Sequence, residues 1–217
     1  MSFAQNITRL IPSSIRTRYR IHQKIRKENA ELNSIGRIDC ETGNLRREKD
    51  LSLDDLLCSR EVENAWDEAK KEIDAFNIPD GTGGVNPGDR KALYYLISQL
   101  KPKSVLEVGT HIGASTLNIA SALYASRIKK GENASLITVD ILDVNSTATK
   151  PWLKYGVSRS PLEMIDSLNY GSFANFVSGS SIQYAETCKE RFDFIFLDGD
   201  HSAKTDRPGN SSCFGTA

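Results

Sequence analysis

The residues between Ser104 and Thr116, Ser-Val-Leu-Glu-Val-Gly-Thr-His-Ile-Gly-Ala-Ser-Thr, combine a short apolar run, a carboxylate at Glu107, and two glycines four apart. Glycines at 109 and 113 remove side chains where a main chain must approach a ligand closely. A helix opening near Ala114 would aim its unpaired N–H groups at the contents of that bend, a setting suited to an anion. Three later segments also end on polar groups. Ser-Leu-Ile-Thr-Val-Asp ends on Asp140, whose carboxylate can accept two hydroxyl hydrogens, as from a ribose diol. Another ends in Ser178-Gly179-Ser180-Ser181, and the last, Phe192 to Leu197, ends in Asp198-Gly199-Asp200-His201.

The spacing from Gly109 to Gly113 departs from the G-x-G-x-x-G of dinucleotide sites, and no G-K-[ST] is present for a P-loop. A ligand that carries a ribose without phosphates is therefore favoured. His111 falls inside the bend and is read as a turn residue, not a catalyst.

These groups need a scaffold that brings them together. Strand signals at 104–108, 135–140, 174–178 and 192–197 alternate with helix signals at about 114–127, 161–169 and 181–189. Parallel neighbours require crossovers, so the expected fold is α/β: a Rossmann-like parallel sheet with helices on both faces, preceded by a helical region. Ligands in such sheets bind beyond the carboxyl ends of the strands. Ser160-Pro161-Leu162-Glu163 offers a capping serine, proline at the first helical position and glutamate at the third. The connection from Leu142 to Ser160, containing Trp152 and Tyr155, is long enough for either a lid or a surface insertion.

Upstream, Val62, Trp66, Ala69, Ile73 and Phe76 recur at spacings of four and three, the stripe of a packed helix, with Ser52 and Asp55 as its capping box. A second amphipathic helix places Leu93, Leu96, Ile97 and Leu100 inward and stops at Lys101-Pro102. The expected division is a basic, poorly periodic arm over 1–50, a helical cap over 51–101, a cofactor-binding α/β domain over 102–201, and an irregular tail over 202–217.

The 217 residues, 39% hydrophobic and 26% charged, suit one main soluble domain. Basic and acidic residues balance at 28 each, so nothing draws the whole chain to nucleic acid. The first 27 residues nevertheless hold seven arginines and lysines and no acid, a composition shared by solvated arms, transit peptides and helices that lie on anionic membrane. Cys40, Cys58, Cys188 and Cys213 are widely spaced, which argues against a zinc site or disulfide framework and for a reducing, cytoplasmic setting.

The motifs V-L-E-V-G-T-H-I-G-A-S-T, I-T-V-D, S-G-S-S and F-D-F-I-F-L-D-G-D-H-S resemble those of class I S-adenosylmethionine-dependent methyltransferases. Within that class the sequence is similar to the small-molecule O-methyltransferase branch of catechol and caffeoyl-CoA type and to a cephalosporin-hydroxylase-like sister group. The resemblance runs from about Asn86 to His201 and implies transfer of a methyl group from S-adenosylmethionine to a small-molecule hydroxyl. Carried over by position, Glu107, Gly109, Thr110 and Gly113 line the methionine part, and Ser115 helps hold its carboxylate. Asp140 takes the ribose hydroxyls, and Ser181 sits beside the adenine. Asp198 matches the position that binds Mg²⁺ or Ca²⁺ in metal-dependent members, and His201 offers a base for the acceptor's proton.

The resemblance stops there. Members of the family continue with a helix, a fifth strand and an antiparallel pair, whereas residues 202–217 show no such period. A truncated enzyme is therefore expected, with the fourth strand left as an edge that invites pairing, including a homodimer. Two other functions stay open: a non-enzymatic remnant that binds the cofactor or associates through that edge, and a hydroxylase-like enzyme. The latter needs an iron site that only three histidines scarcely furnish.

Overall fold

The computed structural model describes residues 57–82 and 84–199, together with helical positions 19, 21–23, 25–27 and 30. These last belong to one unit and residues 57–199 to another. In the larger unit, helices α1 (Arg60–Asp74) and α2 (Pro87–Leu100) lead into β1 (Ser104–Val108) and α3 (Ala114–Ser126). Then follow β2 (Ser135–Asp140), α4 (Pro161–Ser167), β3 (Ala174–Ser178), α5 (Ser181–Thr187) and β4 (Phe194–Leu197). Single 3₁₀ turns at Ile128–Lys130 and Pro151–Tyr155 interrupt the connections around β2.

Local chemistry sets the helix ends. The Ser59 hydroxyl accepts from Val62 N at the start of α1, and the Asn86 side chain accepts from Asp89 N at 3.0 Å where Pro87 opens α2. α2 stops at Lys101, whose φ of 50° is left-handed, just before Pro102. The complete capping box at Ser160 is present: Glu163 N donates to its hydroxyl at 3.1 Å, and Ser160 N donates to the Glu163 carboxylate at 2.8 Å.

All four strands are parallel, in the order β3-β2-β1-β4. One sheet face, with Val105, Leu136 and Ala174, packs on Tyr94, Ile97, Leu117, Leu123 and Ile165 from α2, α3 and α4. Leu106, Ile137 and Val139 face the other way, toward Tyr184 of α5 and Phe192. Each such Leu or Ile contributes about 1.5–3 kcal/mol by leaving water. After β3 the chain returns to the opposite side of β1, so the order reverses between β1 and β4. Open α/β sheets place their ligand crevice at the carboxyl edge of that reversal.

Several expectations shift. The Ser52–Asp55 box lies outside the described residues, and α1 begins instead at Ser59 and Arg60. Leu100 is 47% exposed while Tyr94 is fully buried, its ring 5.2 Å from that of Trp66 on α1. β4 starts at Phe194, not 192; just before it Asp193 N donates to Ser104 O at 3.0 Å while its carboxylate accepts from Lys103 N at 2.7 Å and Ser104 N at 3.2 Å. The 142–160 connection is anchored, with Trp152 and Val157 buried in the main core.

Candidate cofactor site

The bend between β1 and α3 is held on three sides by main-chain bonds. Gly109 N donates to Val139 O at 2.8 Å, Gly113 N to Thr110 O at 2.8 Å, and Asp198 N to Val108 O at 2.8 Å. Gly109 has a φ of 101°, and a Cβ there would lie 2.7 Å from the Asp198 carbonyl carbon and closer still to its oxygen. Only glycine fits, because both the backbone angle and the contact with β4 forbid a side chain. Gly113, at φ 81°, precedes α3 and presses on Pro161, where a Cβ would meet the ring at 3.0 Å. No side chain caps α3, so the first-turn amides stay available to an acceptor from outside the protein.

Asp140 at the end of β2 faces this bend. Its Oδ2 accepts from His111 N at 2.8 Å, and its Oδ1 accepts from Leu142 N at 2.9 Å. Each carboxylate oxygen keeps a second lone pair for a ligand hydroxyl. Gly179 N donates to Asp140 O at 2.8 Å, which draws the end of β3 and the start of α5 at Ser181 to the same edge. Register places Leu197, Val108 and Val139 level with one another and Asp140 level with Ser178. Asp198, Gly109, Asp140 and the Gly179–Ser181 turn thus share one rim. Asp198 and Ser181 are half-buried there.

Glu107, Thr110 and Ser115 lie deeper. The Glu107 side chain is 0% exposed; Thr116 Oγ1 of α3 donates to its Oε2 at 2.6 Å, and Oε1 has no partner within bonding geometry. Burial raises its pKa from 4.5 to about 7, against the opposing pull of the nearby Ser115, Thr116 and Thr138 hydroxyls and with a further push from Asp198. Glu107 therefore ties β1 to α3 beneath the bend. Thr110 is buried as well, sharing a 2.6 Å hydrogen bond with Thr138 of β2.

Sequence reasoning missed what surrounds His111. Its φ of 49° suits the turn, but its ring stands edge-on to Tyr155 at 4.4 Å and its Nδ1 is buried without a partner. Burial lowers its pKa, while Asp140 and Asp198 pull the other way. The 151–155 turn thereby closes over the bend, a contact that the aromatic at 155 alone did not announce. His201 lies outside the described residues. Among the described residues no three His, Cys, Asp or Glu side chains converge as a metal site, so Asp198 gains no companions for a divalent cation.

A cleft of about 480 Å³ opens at the other end of the strands, lined by Lys103, Arg127 and residues 131–135. Arg127 is already committed there, to Asn133 O and Lys101 O at 2.9 Å and to Glu132 at 3.0 Å. That cleft is a structural joint, remote from the reversal point.

Residues 106–208 match the methyltransferase domain family. The resemblance to class I methyltransferases read from the motifs is thus a property of this α/β part. No curated protein matches the chain. Among solved structures it is similar to a Bacillus cereus O-methyltransferase in complex with SAH, at 25% identity and TM-score 0.41, covering 68% of this chain and 59% of that one. It is also similar to TomG, a Streptomyces achromogenes O-methyltransferase of tomaymycin synthesis in complex with SAM, at 19%, TM-score 0.42, and 64% and 53% coverage. The SAH-bound methyltransferase PaMTH1 of Podospora anserina aligns at 17%, TM-score 0.42, and 64% and 50%. The chain spans between 50% and 59% of the length of these three methyltransferases.

Proposed function

We propose that the chain binds S-adenosylmethionine at the bend between β1 and α3 and directs its methyl group to a hydroxyl of a small molecule. The observation that carries this reading is the Asp140 carboxylate, fixed by His111 N and Leu142 N beside an uncapped helix start. A diol acceptor and an anion site side by side suit a nucleoside that bears an amino acid. The match of residues 106–208 to a methyltransferase domain supports the same ligand.

In this reading the first-turn amides of α3, with Ser115, hold the amino-acid carboxylate, worth about 0.3–1 kcal/mol from the helix end alone. Gly109 and Gly113 let the main chain approach, Thr110 and Glu107 stiffen the bend from below, and Ser181 borders the base. The cofactor supplies a methyl group on a positively charged sulfur whose departure as a thioether needs no acid. Alignment of the acceptor oxygen therefore provides most of the acceleration. Asp198, on the rim, and His201 are the groups assigned to the acceptor's O–H proton, which moves to the base as the new C–O bond forms. No step is routed through a metal.

Calorimetric titration of the full chain tests this directly. Uptake of S-adenosylmethionine and S-adenosylhomocysteine is expected, and absence of heat with both rejects the site. Binding without methyl transfer to any of a panel of catechols and phenols would leave the alternative of a cofactor-binding remnant.

A further inference from the structure

We propose that the segment carrying Tyr19, Ile21 and Ile25 is a membrane-surface element, laying these apolar side chains on a bilayer that contains anionic phospholipid. Every described residue between 19 and 30 is helical, and the apolar side chains among them are uncovered: Tyr19 at 63%, Ile21 at 54% and Ile25 at 47% exposure. The site reading above does not use them.

Charge identifies what covers this face. Residues 1–27 carry Arg9, Arg16, Arg18, Arg20, Lys24, Arg26 and Lys27 with no acid, whereas the remainder holds 21 basic against 28 acidic residues. A chain without net charge is thus strongly segregated, with its positive end confined to the part that exposes isoleucine. At about 100° per residue, the described helical residues Tyr19, Ile21 and Ile25 project within an arc of about 160°. Arg16, Arg20, Lys24 and Lys27 follow one another at spacings of four, four and three in the sequence, and of these Lys27, the described one, projects on the opposite side. His22 and Arg26 fall inside the apolar arc, where an arginine's methylene stem can lie along the hydrocarbon boundary while its head reaches the phosphates. Tyrosine suits the same depth, apolar ring inward and hydroxyl in the headgroups.

Exposed apolar helical residues within a basic, acid-free stretch are the pattern of a helix lying in the interface plane, bound by buried apolar area plus attraction to anionic lipid. A protein partner would need an acidic, grooved surface to take both the apolar side chains and the charge; a bilayer with phosphatidylserine accommodates both over its whole area. Among the described residues no helix is long and apolar enough to cross a membrane.

Vesicle flotation of the full chain tests the proposal. With phosphatidylcholine vesicles containing phosphatidylserine the protein floats at low salt and is released at high salt, and with phosphatidylcholine alone it stays at the bottom. Removing two charges in R20Q/K24Q weakens partitioning about 25-fold, at roughly fivefold for each basic residue. I21S/I25S abolishes flotation, while cofactor titration of both variants, whose changes lie outside the site, stays as in the parent. Flotation that ignores lipid charge, or that neither variant weakens, overturns the proposal. Absence of flotation with either vesicle also overturns it and leaves a cleavable targeting segment as the reading.

Discussion

Replacing Glu107 by glutamine tests whether a carboxyl sealed between β1 and α3 is held neutral in the native protein. Its pKa is raised from 4.5 to about 7, chiefly because the ionised form is cut off from water. A carboxyl raised in this way favours folding while it is protonated. That contribution is fully present below pH 4.5 and is lost as pH rises through about 7. The gap of about 2.5 pKa units, at about 1.4 kcal/mol each, corresponds to about 3 kcal/mol, and full burial leaves no solvent screening to discount it. Glutamine has nearly the same shape, can still accept from Thr116, and does not titrate. Denaturant unfolding of both proteins between pH 4.5 and 8.5 should therefore give a stability difference that changes by about 3 kcal/mol in favour of Glu107→Gln toward alkaline pH. Taking the difference cancels the groups common to both proteins. Parallel pH profiles would refute the reasoning: they would mean that the hydroxyls of Ser115, Thr116 and Thr138 stabilise the carboxylate as well as water does.

Three further outcomes follow from the site and its supports. Gly109→Ala forces a side chain onto the Asp198 carbonyl at a left-handed φ; the backbone strain alone costs about 1–3 kcal/mol, and a lowered melting temperature with loss of cofactor heat is expected. Asp140→Asn exchanges one charged acceptor for an amide N–H facing a backbone donor, and calorimetry should show cofactor affinity reduced about ten- to a hundredfold, equivalent to about 1.5–3 kcal/mol. Ser160→Ala breaks the capping box of a seven-residue helix and should lower stability by about 1 kcal/mol in denaturant unfolding.

Much of this architecture could be seen in the residue pattern. The apolar runs of β1, β2 and β3 are bounded by helix starts and turn residues, and their ends at 108, 140 and 178 coincide with the expected ones. The capping box at Ser160 is equally local, because all its atoms lie within four residues. What escaped depends on contacts between distant parts. Phe192 belongs to the apolar pattern of β4, yet the strand begins at Phe194, and Asp193 between them uses its carboxylate to hold two amides nearly ninety residues earlier. Helical spacing placed Leu100 inward, yet α1 and α3 pack on the side carrying Tyr94, and periodicity does not say how far along a helix its neighbours reach. Glu107 was legible as a strand-end acid and not as a sealed one, since alternation in a parallel sheet buries both faces. The closure of Tyr155 on His111 joins segments more than forty residues apart, beyond any local rule.

The bend at Gly109 meets β4 through main-chain atoms alone. A tight fit between side chains can be retuned by exchanging either partner, but a carbonyl is common to every residue. The contact is therefore insensitive to the side chain at 198, provided the N–H that bonds Val108 O is kept, and intolerant of any side chain at 109. Sequence drift can exchange the side chain at 198 without disturbing this contact, while position 109 accepts nothing larger than hydrogen.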